Sequence, residues 1–246
     1  PPEAPGSSVS PMAVGVRARP RGATRRGGSG RPERAAPPGH DGAMDGIPTT
    51  ADAVTPAATP ARPRARALGF IATSVDGFIA REDGSIDWLL TLHARMPPGE
   101  DGGYATFIAR VDALVMGRRS FEQVLGFAEW PYGELPVVVL SRRGVAVPAA
   151  LQGRVQVSGE SPRALLQRLG ADGVKAVYVD GGLTLQSFLR EGLLDELTVT
   201  TVPVLLGRGR PLFGPLPHDL GLALRSVRHW PFGFVQCTWA PERAPG

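Results

Sequence analysis

A single cysteine, Cys237, occurs in the whole chain, which rules out an internal disulfide and any cysteine-rich zinc site. It lies in an apolar stretch, where a buried, inert thiol is expected. Lysine is as scarce. Lys175 is the only one, so a P-loop, which needs a lysine after its glycines, is absent. The four histidines, His40, His93, His218 and His229, are scattered without metal-ligand spacing, and no metal is expected. The dinucleotide fingerprint of three spaced glycines is also missing: Gly207, Gly209 and Gly214 are wrongly spaced and no helix pattern follows them. No glycine-flanked serine stands at a strand-to-helix elbow. No apolar run reaches the length of a membrane span, and no secretory apolar core opens the chain, so a soluble, cytoplasmic protein is expected.

Residues 1–67 lack aromatic and β-branched apolar clusters and hold 12 of the 25 prolines. Such a segment buries too little surface to offset its ordering entropy, and disorder is expected. It carries 10 arginines against 5 acidic residues, whereas the other 179 residues carry 17 basic and 18 acidic. The net charge of +4 therefore belongs to the tail, and the rest shows no basic face that would argue for nucleic acid. A solvated extension is the plain reading of the arginines, and a tether for an acidic partner is the functional one. The chain begins at Pro1 and Met44 offers an internal start, so whether residues 1–43 belong to the native protein is left open.

From residue 68 onward, short apolar runs repeatedly end in glycine or a basic step. Leu68 to Ala72 reads as a first strand, followed by a loop from Val75 to Trp88. Asp76 in that loop is either a pocket group or half of an Asp-Gly turn, and Trp88 is either a pocket wall or a core aromatic. Ala113 to Met116 runs through Gly117, Arg118, Arg119 and Ser120 into a helix near Phe121. Two cations in a first helical turn oppose its dipole, so they cost stability unless an anion sits between them. Val137 to Leu140 stops at Ser141, Arg142 and Arg143. Ala176 to Val179 stops at Asp180, and Gly181 and Gly182 open an amphipathic helix with apolar residues at Leu183, Leu185, Phe188 and Leu189. Three buried strands thus end in phosphate-friendly chemistry, and in an open α/β sheet such ends lie side by side. An arginine beyond a strand end suits a ribose 2′-phosphate, which points to NADPH before NADH. Leu222 to Val227 and Phe234 to Trp239 read as a closing hairpin.

Four stretches, SVDGFIAREDGSIDWLL, VMGRRSFEQVL, VVVLSRR and VYVDGG…FLREGLLDELTVTTVPVLLGRGRPLF, together resemble the dihydrofolate reductase-like superfamily. They look most like its branch containing the reductase domain of bifunctional riboflavin-biosynthesis proteins and many bacterial relatives. The resemblance covers about residues 68–240 and implies a three-layer α/β fold, with a mostly parallel mixed sheet, flanking helices and a C-terminal antiparallel hairpin. It also implies NADPH as cofactor. Matched residue by residue, Gly117, Arg118, Arg119 and Ser120 would hold phosphate, Ser141 and Arg142 the adenosine 2′-phosphate, and Gly181, Gly182, Leu183 and Thr184 the pyrophosphate. Asp76 matches an acidic residue beside the substrate and is the candidate proton route, with Trp88 and Asp180 as further substrate-side residues. Asp180 replaces the glutamate of the riboflavin enzymes, and His93 stands near where dihydrofolate reductases carry an acid. No deaminase zinc pattern occurs.

The expected activity is an NADPH-dependent reductase acting on a small pyrimidine- or pterin-like heterocycle. The competing readings are a non-catalytic nucleotide-binding domain and the basic tether. A small molecule is the expected partner, and a homodimer is left open.

Overall fold

The computed structural model describes residues 64–242. The expectations of disorder and tethering for residues 1–63 lie outside the described residues. In chain order the strands are β1 (Arg66–Ser74), β2 (Phe78–Ala80), β3 (Ala113–Gly117), β4 (Val137–Leu140), β5 (Val155–Ser158), β6 (Ala176–Asp180), β7 (Leu194–Val202), β8 (Arg210–Pro211), β9 (Leu222–His229) and β10 (Val235–Pro241). The helices are α1 (Asp87–His93), α2 (Tyr104–Ile108), α3 (Arg118–Val124), α4 (Pro162–Ala171) and α5 (Gly182–Arg190).

Continuous apolar runs, such as Val137 to Val139, are the pattern of strands covered on both faces, and they form the parallel heart of one eight-stranded sheet. Its order is β5-β4-β3-β6-β1-β7-β10-β9. The six strands from β5 to β7 run parallel, and β10 and β9 close the sheet antiparallel. Val177 and Val179 point into a core with α4 and α5, while Ala176 and Tyr178 point into a second core with α2 and α3. The architecture is therefore the expected three-layer α/β fold with an antiparallel C-terminal hairpin. Among the described residues, no helix is long and apolar enough to cross a membrane.

Two boundaries differ from the sequence reading. The domain does not begin at Leu68: β1 starts at Arg66, Ala65 and Ala67 are buried, and Arg64 grips Asp195 with two hydrogen bonds of 2.8 and 2.9 Å. Alternating arginine and alanine resembles the preceding tail, but the small alanines fit inward while the arginines stay at the surface. The loop from Val75 to Trp88 also contains structure: β2 pairs antiparallel with β8, and α1 begins at Asp87. That helix has only seven residues and no side-chain cap, so its apolar spacing is too short to read.

Candidate functional site

The carboxyl ends of β5, β4, β3 and β6 stand side by side, and the turns that leave them line one cleft of about 920 Å3. All ten residues proposed for the cofactor line it: Gly117 to Ser120 after β3, Ser141 and Arg142 after β4, and Gly181 to Thr184 after β6. Ile79 of β2 and Gly209 to Pro211 around β8 make the facing wall. The turns follow the sheet order, so the glycine turn of β6 lies near the sheet centre and Arg142 lies toward the β5 edge.

Glycine is required where the turns meet. Gly181 has φ 90°, in the region that disfavours side chains, and a Cβ there would strike the Ser120 hydroxyl. A Cβ on Gly117 would come within 2.9 Å of Thr184 Oγ1. The first turns of α3 and α5 are thereby locked together at the cleft floor. No side chain caps α5, so its first-turn amides keep their partial positive charge beside Gly181 and Gly182. Arg118 is answered by Glu122 one helical turn away, at 3.0 Å. Arg119 and Arg142 are exposed on the cleft rim.

Glu160 joins the cleft just after β5. It accepts a bond of 2.9 Å from Arg168 Nη2 and one of 2.7 Å from the Ser158 hydroxyl. Arg168, foremost, and then Ser158 hold its carboxyl below the usual glutamate range.

The substrate-side residues are not gathered as expected. The Asp76 carboxylate is exposed and receives the backbone N–H groups of Leu206 (3.1 Å) and Gly207 (2.7 Å). The Ser74 hydroxyl, followed by those backbone amides, lowers its pKa. This direction runs against a proton-donor role for Asp76 near neutral pH, and its bonds to Leu206 and Gly207 tie down the loop after β7. Gly77 N–H also bonds Ser74 O at 3.0 Å, so the Asp-Gly turn is present as well. Trp88 is buried in a core with Ala72, Val202, Trp230 and Phe234, which makes it a core aromatic and not an open wall. Its indole N–H has no hydrogen-bond partner.

Asp180 is fully buried at the end of β6, immediately before the glycine turn. Tyr178 and Tyr132 place their hydroxyls 3.2 and 3.4 Å from its two carboxyl oxygens. Burial first, and then the neighbouring Asp180 charge, pushes both Tyr104 and Tyr132 well above the usual tyrosine range. Glu160, Arg210 and Tyr132 were not singled out from sequence. Arg210 stands in the quoted Gly207-to-Pro211 run, where its basic side chain was the available signal; Tyr132 reaches Asp180 across 48 residues and carries no local signal.

The arginine-rimmed cleft lies at the carboxyl ends of the parallel strands, which is where open α/β sheets bind their ligands. Residues 68–235 match the family of the RibD C-terminal domain, and the chain belongs to that family. The uncharacterised protein YwjB of Bacillus subtilis (strain 168) is 34% identical over 165 residues, spanning 65% of this chain and 90% of YwjB. A crystal structure from Shewanella sp. PV-4, described as a riboflavin biosynthesis protein, is 38% identical with a TM-score of 0.68, covering 72% of this chain and 99% of that one. The fold is shared more distantly with a Thermotoga maritima diaminohydroxyphosphoribosylaminopyrimidine deaminase/5-amino-6-(5-phosphoribosylamino)uracil reductase. That likeness has 17% identity and a TM-score of 0.55, covering 72% of this chain and 57% of that one.

Proposed function

We propose that the chain is an NADPH-dependent reductase acting on a small pyrimidine- or pterin-like heterocycle. The observation that carries this reading is the convergence of three phosphate-friendly turns, one of them bearing Arg142, on one cleft. Membership of the RibD C-terminal domain family supports it. When bound, the cofactor would supply the hydride. The protein's own part is to seat and orient. Gly181 and Gly182 allow close backbone approach, the α5 amides would hold the pyrophosphate, and Arg142 would pair with the 2′-phosphate. Asp180 does not itself line the cleft; buried behind the glycine turn and bonded by the Tyr178 and Tyr132 hydroxyls, it would position that turn.

Titration with NADPH and NADH, followed by turnover on a panel of ribitylamino-pyrimidines and pterins, tests the reading. Tight NADPH binding with turnover of at least one member is the expected result. Absence of NADPH binding overturns it, and binding without turnover across the panel leaves a non-catalytic nucleotide-binding domain.

A further inference from the structure

Among the described residues, four buried side-chain polar atoms have no hydrogen-bond partner, and three of them belong to one short stretch: Gln123 Nε2 and Oε1 in the last turn of α3, and Trp130 Nε1 in the segment that follows. A covered polar atom without a partner is costly, and most such atoms are satisfied within the protein. The fourth, on Trp88, lies in the separate core with Trp230 and Phe234. Gln123 comes one helical turn after Ser120, whose hydroxyl lies against Gly181 at the cleft floor. Helical side chains lean toward the N-terminus of their helix, so the Gln123 amide is carried back over Arg119 and Ser120, toward the cleft. Trp130 approaches the same place from another side. Its ring meets Phe121 edge-on at 6.1 Å and Tyr132 at 5.3 Å, and the Tyr132 hydroxyl is 3.4 Å from Asp180, the residue before Gly181.

Both residues therefore border the corner where the turns of β3 and β6 meet. In the sheet order β6 lies on the far side of β3 from β4, whose turn bears Arg142. A dinucleotide with its 2′-phosphate at Arg142 would extend its nicotinamide toward this corner, which makes the corner the place for a second ring. Gln123 and Trp130 each keep partial exposure, so their polar atoms lie under shallow cover. Trp130 stands in residues 125–136, which form neither helix nor strand, and it can move outward without breaking a regular element. A carboxamide offers one donor and one acceptor side by side. That pair matches a lactam edge, a ring N–H beside a C=O, and the Trp130 indole adds a second donor for a further acceptor on the ring. A site built to bond such an edge rejects a ring that lacks it, because its own groups would stay buried and unpaired.

We propose that Gln123, with Trp130, reads the lactam edge of the substrate ring and so sets specificity, an inference that rests on the reductase reading above. The probes are lumazine and pterin, which carry that edge, and their N3-methyl derivatives, which do not. They are titrated by fluorescence into the cofactor-free full chain and again with saturating NADP+. At least one lactam probe should bind, and N3-methylation should weaken it about tenfold or more. In Gln123→Met, similar in length but without hydrogen-bonding groups, that discrimination should vanish while NADP+ affinity holds. Its melting temperature should not fall, because two unpaired polar atoms have left a covered position. Trp130→Phe, which keeps an aromatic ring, should weaken the lactam probes by about two- to tenfold. A lower melting temperature with unchanged probe binding in Gln123→Met overturns the proposal, by giving the glutamine a structural role bridged by water. Binding of neither lactam probe by the wild type, or equal binding of methylated and unmethylated rings, overturns it as well. Failure of the reductase reading shows separately, as absent NADP+ binding, because the lactam preference is also read on the cofactor-free protein.

Discussion

Arg168 lays its guanidinium on the Glu160 carboxylate at the carboxyl end of β5, with Nη2 2.9 Å from Oε2. An acidic group at that edge of a dinucleotide cleft can accept from a ribose 2′-hydroxyl and repels a 2′-phosphate. Arg168 and Ser158 occupy this carboxylate, which leaves Arg142 as the dominant charge there.

Arg142→Ala should therefore weaken NADPH by about ten- to a hundredfold while sparing NADH, the scale of one charge-assisted bond to phosphate. Arg168→Ala, which frees Glu160, should shift the preference the same way by only roughly two- to fivefold, as suits a half-exposed pair. Fluorescence titration of both cofactors reads both effects. Equal weakening of NADPH and NADH by Arg142→Ala would place the 2′-phosphate elsewhere.

Removal of residues 1–63 should leave the melting temperature nearly unchanged, whereas removal of 1–67 should not. The longer cut deletes the Arg64–Asp195 pair, the buried Ala65 and Ala67, and the Ala67 N–H bond to Asp195 at 2.9 Å. A loss of about 2 kcal/mol corresponds to a fall of about 4–8 °C in a domain of this size. Differential scanning calorimetry of the two truncations decides it, and equal melting temperatures would count against β1 beginning before Leu68.

Asp76→Asn removes the charge but keeps the turn, so it should loosen the loop after β7 without unfolding the sheet. Hydrogen exchange at Leu206 and Gly207 should quicken, since both amides bond this carboxylate. The folded pKa of Asp76 is lowered, so its hold on the loop is present above the ordinary carboxyl value of 3.8 and lost as pH falls through the lower folded one. Unchanged exchange at both amides would show that the loop is held by other contacts.

His93 is half buried at the end of α1, and burial lowers its pKa against the smaller opposing pull of Asp101. The unfolded chain therefore binds the proton more readily. The stability tied to neutral His93 is complete above its ordinary 6.5 and is lost as pH falls from there through the lowered folded value. His93→Gln should flatten that part of a urea-denaturation profile, and an unaltered slope would exclude the residue as its source.

Elements whose signal is local were legible in the chain. Ala113 to Met116, Val137 to Leu140 and Ala176 to Val179 are uninterrupted apolar runs that end in polar or glycine turns, so the three strands and the ten cleft residues behind them could be placed. The hairpin of β9 and β10 was readable from two β-prone stretches separated by a short Pro- and Gly-containing turn. Partners separated by long stretches of chain were not. Asp76 looked like a pocket acid because its acceptor role depends on amides 130 residues away. Asp180 is adjacent to the glycine turn in sequence, yet Tyr132, 48 residues earlier, helps fix its surroundings. The Glu160–Arg168 pair spans a strand end and a helix, and only the fold turns those two charges toward each other.

The position of β1 also governs when this domain can form. Its flanking strands are β6 and β7, so Arg66 aligns with Ala176 and Ala67 with Leu194, more than a hundred residues later. During synthesis at about 5–20 residues per second, the most apolar early segment would emerge many seconds before either neighbour. Pairing at such separations is slow because loop closure must come before the reward of contact. The nascent chain thus carries an open strand while more than a hundred further residues are made. A chaperone or ribosome surface that shields Leu68 to Ala72 in that interval would raise the yield of folded protein without altering its final stability.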